Sequence, residues 1–154
     1  MTRSPLVVAA ATLLGSALLF GSSAQSQVNP ANLKWGPAPP SLPRGARVTV
    51  LAGNPEKEGI FTIRLKFPPG YAVPPHSHPA DEYVTVISGQ LSLGMGARMH
   101  RARAANLVAG GFVHAPARKN HYAFTRSGAV VQVTSQGPFA VTYVNPADDP
   151  RRHK

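Results

Sequence analysis

Pro74-Pro75-His76-Ser77-His78-Pro79-Ala80-Asp81-Glu82 is the stretch at which this 154-residue chain stops resembling a generic β-protein. Residues two apart in an extended chain share a face, so His76 and His78 project the same way with Cα atoms roughly 6.6 Å apart. Pro75 and Pro79 bias the residues before them toward extended geometry and stiffen the approach, lowering the entropy cost of holding two imidazoles on one ion. Glu82 follows a short turn, keeps the even parity of the two histidines if no bulge intervenes, and opens a strand. A second stretch, Pro116-Ala117-Arg118-Lys119-Asn120-His121, is a turn feeding a new strand whose first residue is a histidine; as a hairpin it would return His121 to the other three.

Outward from these two stretches the chain reads as short β-runs over Ala46–Leu51, Ile60–Phe67, Glu82–Ser88, Gln90–Leu93, His121–Thr125, Ala129–Thr134 and Phe139–Val144. Turn residues separate them at the spacing of a β-sandwich or barrel, among them Asn54-Pro55, Pro68-Pro69-Gly70, Ser88-Gly89, Gly110-Gly111, Ser127-Gly128 and Gly137-Pro138. Ile60–Phe67 is the clearest strand: Phe61, Ile63, Leu65 and Phe67 fall on one face, Thr62, Arg64 and Lys66 on the other. Val131 and Val133 alternate with Gln132 and Thr134, and Val141 and Tyr143 resume the pattern after Gln136-Gly137-Pro138, which predicts a hairpin. No segment after residue 24 carries a sustained helical period, and there is no internal repeat.

Gly70, His76, His78, Glu82 and Gly89 on one side, and Gly110, Pro116 and His121 on the other, resemble the two motifs of the cupin superfamily. Arg118 stands where a turn glycine is usual and Thr125 where an asparagine is usual; neither is a ligand position. The resemblance covers Gly70 to Thr125. It implies an all-β fold, a double-stranded β-helix or jelly-roll barrel, holding one divalent transition metal through His76, His78, Glu82 and His121. It also implies pairing of two copies through the amino-terminal arm.

Three neutral imidazoles and one carboxylate would leave a divalent ion near +1 and, if octahedral, with two open positions for a bidentate anion or for substrate and oxygen. Nitrogen and oxygen donors without sulfur suit Fe, Mn, Zn, Ni or Cu, and affinity order does not choose among them. The chain has no cysteine, so a thiolate nucleophile, a disulfide and a sulfur ligand are all excluded. Between Tyr83 and Ala147 there is no Asp or Glu against six Lys or Arg, which argues against a glycosidase-type carboxylate pair. Gly94-Met95-Gly96 lacks a nucleotide loop's third glycine, and no nucleophile elbow is present. What remains is Lewis-acid work on a small, oxygen-rich, anionic ligand, or activation of dioxygen beside it. Tyr122, Gln132 and Arg64, polar or aromatic residues on strands near the motifs, are candidates for a substrate pocket. Asp81 reads as a turn residue and His114 as a structural or supporting histidine. The competing readings are a dioxygenase-like oxidoreductase, a non-catalytic metal- or ligand-binding module, and a metal-dependent isomerase or lyase.

The first 24 residues have the layout of an export segment: Arg3, an apolar run from Leu6 to Phe20, then Gly21-Ser22-Ser23-Ala24. As a helix that run would reach only about 22 Å, short of a roughly 30 Å hydrocarbon layer, so cleavage rather than anchoring is expected, with the product periplasmic or secreted. Residues 25–45 form a proline-dense extended arm carrying Trp35, residues 46–144 the barrel, and residues 145–154 a loosely ordered charged tail. The apolar fraction of 43% suits a single packed domain, and the charged fraction of 14% is below the roughly 25% usual for soluble domains. The formal net charge of +10 points, in an exported protein, either to anionic small molecules or surfaces or simply to solubility, rather than to nucleic acid. Arg98, His100, Arg101 and Arg103 concentrate part of it between the two motifs.

Overall fold

In the computed structural model, residues 27–152 are described. The expected export segment, Gln25 and Ser26 of the arm, and His153 and Lys154 lie outside them. Ten strands follow in order: β1 (Gly36–Pro37), β2 (Arg47–Ala52), β3 (Gly59–Phe67), β4 (Ala72–Ser77), β5 (Glu82–Met95), β6 (Ala105–Val108), β7 (Phe112–Ala115), β8 (His121–Phe124), β9 (Ala129–Gly137) and β10 (Thr142–Tyr143). All pairings are antiparallel, in the lateral order β1-β2-β3-β9-β5-β8-β4-β10, with β6 and β7 added along β5. No helix among the described residues is long and apolar enough to cross a membrane.

The curl of this sheet depends on β5. Ser88-Gly89 reads in sequence as a turn between two strands, yet the chain continues through it as one strand of 14 residues. Its first half pairs with β9 and β7, its second with β6 and β8. The register slips between Val86 and Ser88, a bulge that bends the strand from one sheet into the other. Gly89 sits at the bend with φ +75°, and a Cβ there would strike the Gly128 carbonyl, so only glycine fits.

The two-residue period of β3 holds. Phe61, Ile63, Leu65 and Phe67 are buried and pack with Val84, Val86, Val131, Val133, Val141 and Tyr143 in one core. Ile60 on the opposite parity is 75% exposed. The hairpin expected between the valine strand and Val141-Tyr143 does not form. β9 is flanked by β3 and β5 instead. Beyond Pro138, which has no N–H to continue a ladder, Phe139 donates to the Pro55 carbonyl at 2.7 Å. The chain then crosses to the other sheet, where β10 pairs with β4.

The described part of the arm lies on the barrel. Its strand pairing is short, β1 meeting β2 only at Gly36 and Pro37, while Ala38 and Leu42 pack against the core. Two buried tyrosines reach it from the barrel: Tyr71 donates to the Pro43 carbonyl at 2.7 Å and Tyr143 to the Ser41 carbonyl at 2.8 Å. In the tail, residues 146–152 make two single 3-10 turns. Arg151 pairs with Asp149 at 2.7 Å and donates to the Val141 carbonyl at 3.0 Å.

Candidate metal centre

Three strand ends carry the candidate ligands to the same end of the barrel. β4 carries His76 one residue before its end and runs on into His78, β5 opens on Glu82, and β8 opens on His121. His121 arrives by a route different from the expected hairpin: β7 pairs with β5, while β8 lies between β4 and β5, opposite His76 and Met95. Arg118, in the usual glycine position of the preceding turn, takes φ +60°, so the left-handed turn survives without glycine, and its N–H donates to the His78 carbonyl at 2.8 Å.

The three imidazoles are mutual neighbours, with ring centroids 4.9, 4.3 and 5.1 Å apart, and each offers a nitrogen within 4.8 Å of the others. Glu82 Oε2 is 3.6 Å from His78 Nε2 and 3.3 Å from His121 Nε2. All four side chains are buried. Each Nδ1 faces a backbone carbonyl: His76 that of Pro74 at 2.7 Å, His78 that of Ala140 at 2.8 Å, His121 that of Lys119 at 3.1 Å. A carbonyl only accepts, so Nδ1 carries the proton and Nε2 of each neutral ring keeps its lone pair, the tautomer a metal needs.

Two of those lone pairs find no partner among the described residues. Nε2 of His78 and of His121 are buried without a hydrogen bond; their approach to Glu82 is charge proximity without hydrogen-bond geometry. Burial, then the neighbouring His121 and His78, pushes the His76 pKa down to about 3, and burial also lowers that of His78. Burial pulls His121 down too, but the Glu82 carboxylate outweighs it and the net shift is upward. For Glu82 burial favours the protonated form, yet the surrounding imidazoles prevail and the shift is downward. A quartet of buried donors, three with enforced lone pairs and one carboxylate, fits a divalent cation, with His76, His78, His121 and Glu82 as its holders.

The quartet forms the polar end of a cavity of about 330 Å³ whose walls are apolar, among them Val48, Ile63, Leu65, Val84, Val133 and Val141. Phe139 stacks on the His78 ring at 4.3 Å and 24°. Apart from Glu82, the single charged residue lining the cavity is Glu56, on the exposed loop between β2 and β3.

None of the three residues expected in the pocket lines it. Arg64 and Gln132 face each other on the outer side of β3 and β9, Nε donating to Oε1 at 3.2 Å. Tyr122 is also on the outer side, yet fully buried, because the 96–104 connection covers it; its hydroxyl donates to the His100 carbonyl at 2.9 Å. The reason is common to all three. In a closed barrel the cavity lies on the same face as the core, and these residues have the opposite parity. His114 does not support the quartet either: it is exposed, stacks on Tyr83 at 4.9 Å and lies 3.5 Å from Asp81. Asp81 accepts from the Ala117 N–H at 2.7 Å, a turn-fixing contact as expected. Sequence reasoning missed Glu56, Phe139 and the arm residues Pro39 and Leu42, which border the cavity. Asn54-Pro55 marks a turn there, but no periodicity tells which turn ends at a cavity mouth.

A curled antiparallel barrel with a buried histidine triad at one end makes the protein a cupin. The chain belongs to the family described as the ChrR cupin-like domain, which matches residues 23–140. Among solved structures it is similar to the polyketide cyclase RemF from Streptomyces resistomycificus (16% identity, 84% of this chain and 92% of that one, TM-score 0.64). It is similar also to a proposed acetylacetone dioxygenase from Methylibium petroleiphilum PM1 (22%, 82% and 85%, 0.63), and to the DMSP lyase DddQ from Ruegeria pomeroyi DSS-3 (19%, 73% and 61%, 0.58). Likeness at these identities shows the fold. No curated protein matches the chain.

Proposed function

We propose that the protein is an exported, metal-dependent oxidoreductase of the dioxygenase kind, acting on a small chelating molecule with oxygen donors at one end and an apolar body. The observation that carries this reading is the enforced tautomer: three part-buried carbonyl contacts leave three imidazole Nε2 atoms and one carboxylate converging at the polar end of an apolar cavity. A divalent Fe, Mn, Ni, Cu or Zn held there would supply Lewis acidity toward substrate oxygens and, for the redox-active ions, electron exchange with dioxygen. The apolar walls exclude water from the polar end and seat the substrate's hydrocarbon part. Phe139 fixes the plane of the His78 ring. Besides the quartet, the cavity lining offers one ionisable group, Glu56 at its rim. Isomerase and lyase chemistry leans on a positioned acid or base, which favours the oxidoreductase.

The lining holds no Arg or Lys, so an anionic substrate would be balanced at the metal alone, and further negative charge on its tail would face Glu56. β-Diketones, enediols and catechol-like molecules meet this description. The non-catalytic alternative, a metal- or ligand-binding module, is favoured by the same quartet if the resident ion is redox-silent. Elemental analysis of protein isolated without added metal, joined to oxygen uptake with a β-diketone and a catechol, separates them. Stoichiometric Fe, Mn, Ni or Cu with oxygen uptake supports the oxidoreductase; stoichiometric Zn with ligand-induced stabilisation and no uptake replaces it with the binding module.

A further inference from the structure

The barrel's two ends differ in charge. Four of the six acidic residues lie toward the quartet end, Glu56 and Glu58 in the loop beside Gly137 and Asp81 and Glu82 at the start of β5; of the other two, Asp149 is paired with Arg151. At the other end, where β3 finishes opposite the start of β9 and the bend of β5, these strand segments and the turns beside them carry none. An open groove of about 500 Å³ crosses that end, bounded by Gly45, Arg47, Lys66, Ser88, Ser127 and Gly128 among others.

The groove's polar side chains come from one row of the sheet. Arg47 on β2 pairs with Lys66 on β3, Lys66 with Val130 on β9, and Val130 with Ser88 on β5, so all four stand on the outer face in a line. Among the described residues Lys66 has no ion pair, Arg47 spends one nitrogen on the Trp35 carbonyl at 2.7 Å, and only Arg151 forms an Arg or Lys ion pair with a carboxylate. Arg44 and Arg126 adjoin the groove residues Gly45 and Ser127 in the chain. A fork-shaped guanidinium and an ammonium, both unneutralised, with hydroxyls across from them and prolines beside them, suit a compact oxyanion.

We infer that this groove is a second binding site, separate from the metal centre, for a phosphate- or sulfate-bearing group. Arg47 and Lys66 take its charge and Ser88 and Ser127 its remaining oxygens. The separation of acids from this end also directs the group here and away from the quartet.

The test titrates the full chain at low ionic strength with inorganic phosphate by calorimetry, and in parallel measures sedimentation with vesicles of phosphatidylglycerol and phosphatidylcholine. Lys66→Gln, which touches no other contact, and Arg47→Gln/Lys66→Gln are the variants; Arg98→Gln/Arg103→Gln on the distant basic loop is the control. Saturable one-to-one phosphate binding that weakens about tenfold in Lys66→Gln, disappears in the double variant and persists in the control supports a free oxyanion site. Binding to anionic vesicles alone with the same variant pattern supports the site and assigns its ligand to a lipid headgroup. No saturable binding to either, or binding unchanged in Lys66→Gln and the double variant, overturns the inference.

Discussion

The inward and outward faces of the same strands do opposite work, and one residue of register separates them. Inward, Ile63 and Leu65 of β3 and Val131 and Val133 of β9 are buried and line the cavity. Outward, Arg64 meets Gln132 at 3.2 Å, and Thr62 meets Thr134 at 3.0 Å. A barrel interior this apolar gains a cluster of polar donors by a small number of exchanges on the inward face: His76, His78, Glu82 and His121 replace hydrocarbon there. Each exchange buries a polar group, and the backbone carbonyls of Pro74, Ala140 and Lys119 offset that cost for the imidazoles while fixing their tautomers. The outward polar residues Thr62, Arg64, Gln132 and Thr134 are only part-buried and meet one another across the strands, so they carry a smaller burial cost.

The sharpest way to break this contrast is to remove an inward donor. His121→Ala and Glu82→Ala should each abolish stoichiometric metal and oxygen uptake. With metal at about a thousand times its Kd, chelation should lower the stability of the unsubstituted protein by about 4 kcal/mol, read as a drop in Tm by scanning calorimetry. Retention of one metal per chain in either variant would mean the quartet is not the holder.

Adjacent residues of β3 test the packing half of the contrast. Phe61 is 0% exposed and meets Phe139 edge-on at 5.2 Å, whereas Ile60 is 75% exposed. Phe61→Ala should cost about 3–5 kcal/mol in urea unfolding. Ile60→Thr should stay within about 0.5 kcal/mol of the parent. Similar losses at both positions would mean that the outer face is covered in solution.

This contrast also explains what can be read from the sequence. The quartet is legible because extended parity, proline stiffening and motif spacing are local properties, and the core of β3 because its alternation is strict. The pocket is not. Arg64, Gln132 and Tyr122 qualify for it by polarity or aromaticity, but chemistry type does not reveal face, and in a barrel the face that packs is the face that binds. β5 divides at Ser88-Gly89 in sequence because a glycine with positive φ serves a turn and a bulge equally well; only the neighbouring backbone of Gly128 distinguishes them. β7 escapes notice because Phe112-Val113-His114-Ala115 is short and its most apolar residue, Phe112, faces outward. The false hairpin after β9 comes from treating Gly137-Pro138 as a reversal within one sheet, when Phe139 anchors to Pro55 and takes the chain to the other.

Tyr122 sharpens the contrast because it is outward by parity and yet 1% exposed. Its cover is the 96–104 connection, and its ring occupies the space that the absent side chain of Gly94 leaves open. Tyr122→Phe removes one hydroxyl bond to the His100 carbonyl and should cost about 1 kcal/mol, with oxygen uptake unchanged. Gly94→Ala is the companion test: a Cβ there would run into the Tyr122 ring, so its larger loss of stability should appear without loss of metal. A fall in turnover for Tyr122→Phe at full metal occupancy would place the hydroxyl in the reaction after all.

The smallest expected effect belongs to Arg64 and Gln132, and it tests the argument from faces most directly. Their hydrogen bond is part-buried and joins a cation to a neutral amide across β3 and β9, a cross-strand contact of the kind worth a few tenths of a kcal/mol. Arg64→Gln and Gln132→Ala, singly and together, should change stability by no more than about 0.5 kcal/mol, with metal content and kcat/KM for the best oxygen-consuming substrate unchanged. A double-mutant cycle isolates the pair from each residue's separate contact with solvent. If either substitution raised KM several-fold while metal content held, the guanidinium would have to reach substrate through a rearranged β3 edge, and the division between a packing, binding interior and a solvated exterior would fail at that point.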